Sequence, residues 1–348
     1  MPSSPLQNAG LALISCVLYY LLRLRSRKLP LPPGPKGLPL LGNIYDVPEK
    51  QSWLAFLEMT KKYDSDIISL NLMGTTVVVL NSAASIQALL EDKSMIYSSR
   101  PPFPMVNDLV GYHWNFGFMP YGPKWKQYRK TLVQQFQPSQ MHFHRPLQLK
   151  AARVLLQRLL ETPAKFEKHL RHMAAGSDTT VSVLNSFILA MTLYPEIQEK
   201  AQAAVDHAVG QGRLPDFNDS IPYLDAVLRE VLRWRPVVPL AIPHAVTEDD
   251  VYNGYYIPRG AVVLGNSWAV LHDEAIYGST AGEFIPERWL NKDGEINTAM
   301  REPSAAFGFG RRSCPGREMA QWSVWICAAS ILAAFTISKS VDEKGSDP

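Results

Sequence analysis

The segment richest in chemistry reads FGFGRRSCPG, from Phe307 to Gly316. Cys314 stands there among Arg311, Arg312 and Arg317, just ahead of a helix that begins after Pro315. Cations and the positive end of a helix both favour the charged form of a thiol, so a thiolate is expected. Such a group can act as a nucleophile, or it can ligate a metal or haem iron from one side and leave the other face open. No Cys-His arrangement supports the nucleophile, and a single cysteine is more often an inert buried residue. The neighbouring glycines tilt the balance toward a ligand. Gly308, Gly310 and Gly316 are expected to let the backbone approach a flat group and to turn their amides toward the sulfur.

Further residues stand at spacings that carry meaning. Glu230 and Arg233, in LREVLRWRP, lie three apart on a helix and share a face, as many solvated ion pairs do. Trp125 and Arg129 lie four apart on one helix face, a pattern that suits either core packing or an anion site. In AGSDTT, residues 175 to 180, Ser177 or Asp178 reads as a helix cap.

In their order along the chain these segments resemble the cytochrome P450 family of haem-thiolate monooxygenases. The family pattern FxxGxRxCxG is met in full by Phe307, Gly310, Arg312, Cys314 and Gly316, and its ExxR element by Glu230 and Arg233. The resemblance implies that Cys314 is the axial ligand of haem b. It implies that Arg288, in the Pro286-Glu287-Arg288 segment, joins Glu230 and Arg233 in a cluster that locks the fold around the cysteine loop. Gly176, Asp178 and Thr179 then match the oxygen-activation motif, the glycine making room for dioxygen and the acid-alcohol pair delivering protons. Trp125, Arg129, Arg312 and His244 match the positions that contact the haem carboxylates. The implied reaction inserts one oxygen atom of dioxygen into a lipophilic small molecule. No GxGxxG follows a strand, so electrons are expected from a partner, an NADPH-dependent diflavin reductase. Lys124, Lys126 and Lys130, with Arg311 and Arg317, offer it a cationic docking surface.

The elements that must position these residues are mainly α with small β-sheets, the expectation being an incomplete cytochrome P450 fold. Apolar spacing predicts helices over 52–63, with Ser52 as cap, and over 82–90, 123–136, 147–160, 164–173, 179–191, 196–209 and 222–235. A last helix is expected from Pro315 to about residue 337. Residues 66–80 read as a hairpin broken at Met-Gly, 101–120 as a loop, and 243–265 as short strands. The 348 residues are 46% hydrophobic and 10% aromatic, enough for a large core, which excludes a disordered chain. A net charge of +3 is too small for a nucleic-acid binder, and three cysteines cannot make a disulfide framework.

Residues 1–28 read as one N-terminal transmembrane helix with a basic flank. Leu6 to Leu22 carry no charge and span about 25 Å as a helix, and Arg23, Arg25, Arg27 and Lys28 follow at once. Charge after the apolar run leaves the body in the cytosol, with membrane lipid around the anchor and the endoplasmic reticulum as the expected location. Residues 29–42, with five prolines and three glycines, form a stiff hinge, and 43–348 form the haem domain. That domain departs from the family in length. Arg129 and Asp178 are only 49 positions apart, where the family has a long series of helices. The shortening is expected between about 174 and 175, and a further truncation at the C-terminus. The remaining pocket walls are then Pro101 to Met119 and Val237 to Ala241. The alternative function is a non-catalytic family member that at most binds haem or a protein partner.

Overall fold

The computed structural model describes Ser15 and residues 29–173, 178–210 and 212–340. The expected anchor, Ser15 apart, and Gly176 of AGSDTT fall outside these residues. Among the described residues no single helix is long and apolar enough to cross a membrane.

Apolar β-branched residues on both sides of Met73 and Gly74 fold back as a hairpin. Strands β1 (Ile67–Leu72) and β2 (Thr75–Leu80) pair antiparallel with Leu72 opposite Thr75. Met73 and Gly74 take left-handed φ values of 47° and 92°, the hand a two-residue turn needs to match the strand twist. The chain returns to this sheet much later. β3 (His244–Ala245), β4 (Asp250–Tyr252), β5 (Tyr255–Ile257) and β6 (Val262–Gly265) follow one another, β6 pairing parallel with β2 and β3 antiparallel with β6. The order β1-β2-β6-β3 leaves β3 at the edge, where Ala245 bridges to Ser99. That bridge brings His244 beside the segment holding Tyr97 and Arg100.

The helical part comprises α1 (Ser52–Tyr63), α2 (Pro123–Phe136), α3 (Met141–Glu161), α4 (Phe166–Met173), α5 (Asp178–Leu193), α6 (Pro195–Val209), α7 (Pro222–Trp234), α8 (Ser267–Leu271) and α9 (Arg317–Ala334), with shorter turns between. Helices α3, α5, α6, α7 and α9 share the largest core, which includes Leu155, Phe187, Ala201, Val231 and Ala328. Every residue from Val324 to Leu332 of α9 is buried, so this stretch of the helix is enclosed on all sides rather than amphipathic. Each large apolar side chain so buried contributes about 1.5–3 kcal/mol. α5 and α6 satisfy the length and hydropathy of a membrane span only as a pair bent by 110°, and both belong to this core.

Several boundaries differ from expectation for local reasons. Ser52 is the first helical residue, not the cap, and its hydroxyl donates to the Pro48 carbonyl at 2.8 Å. α3 starts at Met141 and passes through Pro146. The carbonyl that loses its donor belongs to exposed His142, where water can replace the bond. The loop over 101–120 contains two helical turns, Met105–Leu109 and Tyr112–Trp114. α9 stops at Ala334 because side chains of α6 capture the backbone of the next few residues. Gln202 Nε2 donates to the Phe335 carbonyl at 3.0 Å, and Gln198 pairs both ways with the backbone of Ile337.

Candidate active site

Cys314 is delivered by a loop that closes on itself. Its backbone N–H donates to the Phe307 carbonyl at 2.8 Å, and α9 begins three residues later. Phe309 anchors the loop in the sheet-side core with Leu90 and Val263. The cysteine is exposed and, with Phe307, lines a cavity of about 480 Å³. The glycines work otherwise than expected. Gly310 has φ +53°, and a Cβ there would lie 2.1 Å from the Leu90 carbonyl oxygen. Its N–H donates to Glu91 Oε1 at 2.8 Å, and the Gly308 N–H to Ala305 O at 3.3 Å. These two amides are therefore committed within the protein rather than turned to the sulfur. The close approach that Gly310 permits is to the helical turn Gln87–Asp92. Gly316, with φ −93° and nothing within 4 Å of a Cβ, simply precedes α9.

The same cavity gathers Trp125, Arg129, His244 and Arg312, from α2, β3 and the cysteine loop. Arg129 Nη1 donates to Ser313 O at 2.5 Å, fixing α2 against that loop. The Arg312 guanidinium carbon stands 4.3 Å from the centre of the Trp125 ring. A further cation was not anticipated. Arg100 lines the cavity and is 7% exposed, close to the 8% of Arg312. It is the single charge between Lys93 and Asp108, and a lone charge in an apolar stretch is the sequence signal that could have marked it for burial.

Among the described residues, hydrogen bonds from these guanidiniums go to carbonyls and none to a carboxylate. Arg100 donates to Gly117, Ile242 and Pro243, and Arg312 to Ser98, Phe116 and Met119. Burial pulls Arg100 down to about 10. Burial, with Arg100 and Arg129 close by, pulls Arg312 down to about 9. Trp125 Nε1 is buried without a hydrogen-bond acceptor. The acids of the lining are Asp225 and Glu318, while three clustered cations and an orphaned donor suit an anion of more than one charge. The cavity's apolar walls suit a flat, apolar body attached to it.

α5 meets this cavity at its first turns. Thr179 and Thr180 line it, whereas Asp178 is exposed and outside the lining. Phe116, Val237, Val238 and Ala241 line it too, so both expected wall segments contribute.

The Glu230-Arg233 pair is not solvated: both side chains are fully buried. Glu230 accepts from Arg233 at 2.7 and 2.8 Å, Arg288 Nε at 3.0 Å, Trp289 Nε1 at 2.9 Å and the Ile285 N–H at 2.9 Å. Arg233 also donates to the carbonyls of Leu271, Ala281 and Glu283. The cluster thus ties α7 to the end of α8 and to the turn Pro286–Trp289. Trp289, adjacent to the recognised Arg288, is a member that sequence reading omitted.

The chain is similar to known proteins over most of its length. The sequence profile of the family described as Cytochrome P450 matches residues 32–168 and 166–348. Tryptamine 4-monooxygenase of Psilocybe cyanescens is 32% identical over 97% of this chain and 92% of its own length. Cytochrome P450 monooxygenase 98 of Postia placenta is 34% identical over 95% of this chain and 88% of its own. Cytochrome P450 monooxygenase ple1 of Rhodocybe pseudopiperita is 32% identical over 94% and 87% respectively. The first of these alignments extends over 466 positions, against 348 residues in this chain, so the remainder lies opposite gaps. Both halves of the chain match the same profile, on either side of residues 166–168, and the relatives that cover nearly all of it are monooxygenases by name. The chain belongs to the cytochrome P450 family and is an oxidoreductase of that type.

Proposed function

We propose that this protein is a haem-thiolate monooxygenase that inserts one oxygen atom of dioxygen into a lipophilic organic substrate, with electrons from an NADPH-dependent diflavin reductase. The observation that carries the reading is the cluster of Arg100, Arg129, Arg312 and Trp125 in one cavity with Cys314. Haem b fits these residues: Cys314 would ligate the iron, and the three guanidiniums and the Trp125 N–H would hold the two propionates. When bound, thiolate-ligated haem supplies dioxygen activation, the thiolate's electron density favouring O–O cleavage.

The chain's own groups have separable tasks. Thr179 offers a hydroxyl at the cavity wall, and exposed Asp178, one residue before it, can take protons from solvent toward it. Phe116, Val237 and Val238 orient an apolar substrate and exclude water. In this reading residues 1–28 anchor the protein in the endoplasmic reticulum membrane, with 29–42 as hinge and the haem domain in the cytosol. The shortening near residues 174 and 175 removes part of the pocket roof.

The reduced carbon monoxide complex tests haem ligation. The wild-type chain should give a thiolate-type Soret band that Cys314→Ser abolishes; failure to take up haem at all would overturn the proposal. Electron supply has its own test. Lys124, Lys126 and Lys130 are exposed on α2. Reversing the charge of Lys126 and Lys130 should slow reduction by a diflavin reductase roughly tenfold at low salt, with the difference vanishing at high salt. An unchanged rate at low salt would exclude this surface.

A second reading rests on the gapped alignment. With over a hundred aligned positions absent, the chain binds haem without productive turnover. Product formed per NADPH consumed, across a panel of lipophilic substrates, separates the two.

A further inference from the structure

His244 lies on β3, 3% exposed, and its ring lines the cavity. Nδ1 stands 2.7 Å from the Tyr97 carbonyl oxygen. A carbonyl only accepts, so Nδ1 carries the proton. A neutral imidazole has one N–H, which leaves Nε2 as a bare lone pair, without a partner among the described residues. In that state the ring cannot donate to a carboxylate and repels one. The sequence resemblance places this histidine against a haem carboxylate, so the geometry and the expected role conflict unless the ring gains a proton.

The surroundings explain why it is neutral beforehand. Burial acts first, then Arg100 from the segment after Tyr97, with Arg312 from the cysteine loop adding to it, and together they hold His244 at about 3. No acid offsets them. Asp250 is bonded to Lys93 and to Tyr97 Oη rather than to the ring, and the acids among the described residues that line the cavity are Asp225 and Glu318. A porphyrin dicarboxylate entering the cavity reverses the field that opposed a charge on His244. It also offers Nε2 a charge-assisted hydrogen bond.

We infer that His244 takes up a proton at Nε2 when the carboxylates of a porphyrin enter the cavity, so that cofactor capture is coupled to proton uptake. The inference rests on the haem reading above. The sign follows from linkage: a group more basic in the complex than in the free protein makes binding weaken as pH rises.

The test uses the full chain with protoporphyrin IX and its zinc complex, which need no turnover. In weakly buffered solution the wild type should take up about one proton per porphyrin bound. Its affinity should fall by up to roughly tenfold per pH unit between about pH 6 and pH 8. His244→Gln, whose amide donates without gaining a proton, and His244→Arg, a fixed cation, should bind with little pH dependence and take up none. Two variants guard against misfolding of either. Porphyrin binding with equal proton uptake in wild type and variants, or with none in wild type, overturns the coupling alone. Absence of any porphyrin binding by the wild type overturns the haem reading and this inference with it.

Discussion

Glu230→Ala should remove a large part of the chain's stability. Its carboxylate is the common acceptor for Arg233, Arg288, Trp289 Nε1 and the Ile285 amide, at 2.7–3.0 Å. Removing it strands two guanidiniums, Arg233 fully buried and the Arg288 side chain 6% exposed, with no other carboxylate bonded to them among the described residues. Breaking a buried pair from one side costs about 3–5 kcal/mol. A typical domain has only about 5–15 kcal/mol in total. Glu230→Gln keeps the shape and some acceptor capacity but not the charge, so it should fall between the two. Arg233→Lys should also be severe, since an ammonium cannot reproduce the fork that reaches Glu230 and three carbonyls. Denaturant midpoints measured without haem would give the order. A Glu230→Ala midpoint within error of wild type would show that the cluster is not a structural lock.

Gly310→Ala should be almost as damaging, whereas Gly316→Ala in the same motif should be tolerated. A left-handed φ costs a residue with a side chain roughly 1–2 kcal/mol. The new methyl would also meet the Leu90 carbonyl at 2.1 Å, and backbone cannot swing aside as a side chain can. The loop must then lift off the turn Gln87–Asp92, losing the Gly310-Glu91 bond and carrying Cys314 with it. At Gly316 the φ is ordinary and the space open, so the change should stay within about 0.5 kcal/mol. Haem content and thermal midpoint of the two variants check this. Equal losses at both positions would mean that the glycines serve the ligand rather than the loop's seat.

These two glycines illustrate what could be read from residues alone. The motif Phe307 to Gly316 was legible because a cysteine among arginines, ahead of a helix, is an uncommon combination of local features. Whether its glycines faced a ligand or the protein was not legible, because the neighbour that decides it, Leu90, is 220 positions away. The hairpin at Met73-Gly74 and the start of α7 at Pro222 were visible for the same local reason, since turn and N-terminal preferences act over a few residues. The passage of α3 through Pro146 was not, because packing of α3 against α4 and α9 outweighs one lost hydrogen bond.

By itself, then, the sequence determined the family motifs and the mainly helical class through short-range spacing, and the family resemblance pointed to Cys314, Trp125, Arg129 and Arg312 as candidate site residues. The tertiary structure alone decided which charges lose their water. It turned the ordinary i, i+3 pair Glu230-Arg233 into a fully buried lock and brought unremarked Arg100 into the cation cluster. It also fixed the tautomer of His244 through a carbonyl 147 positions away. Desolvation depends on everything packed around a group, and no window of sequence contains that information.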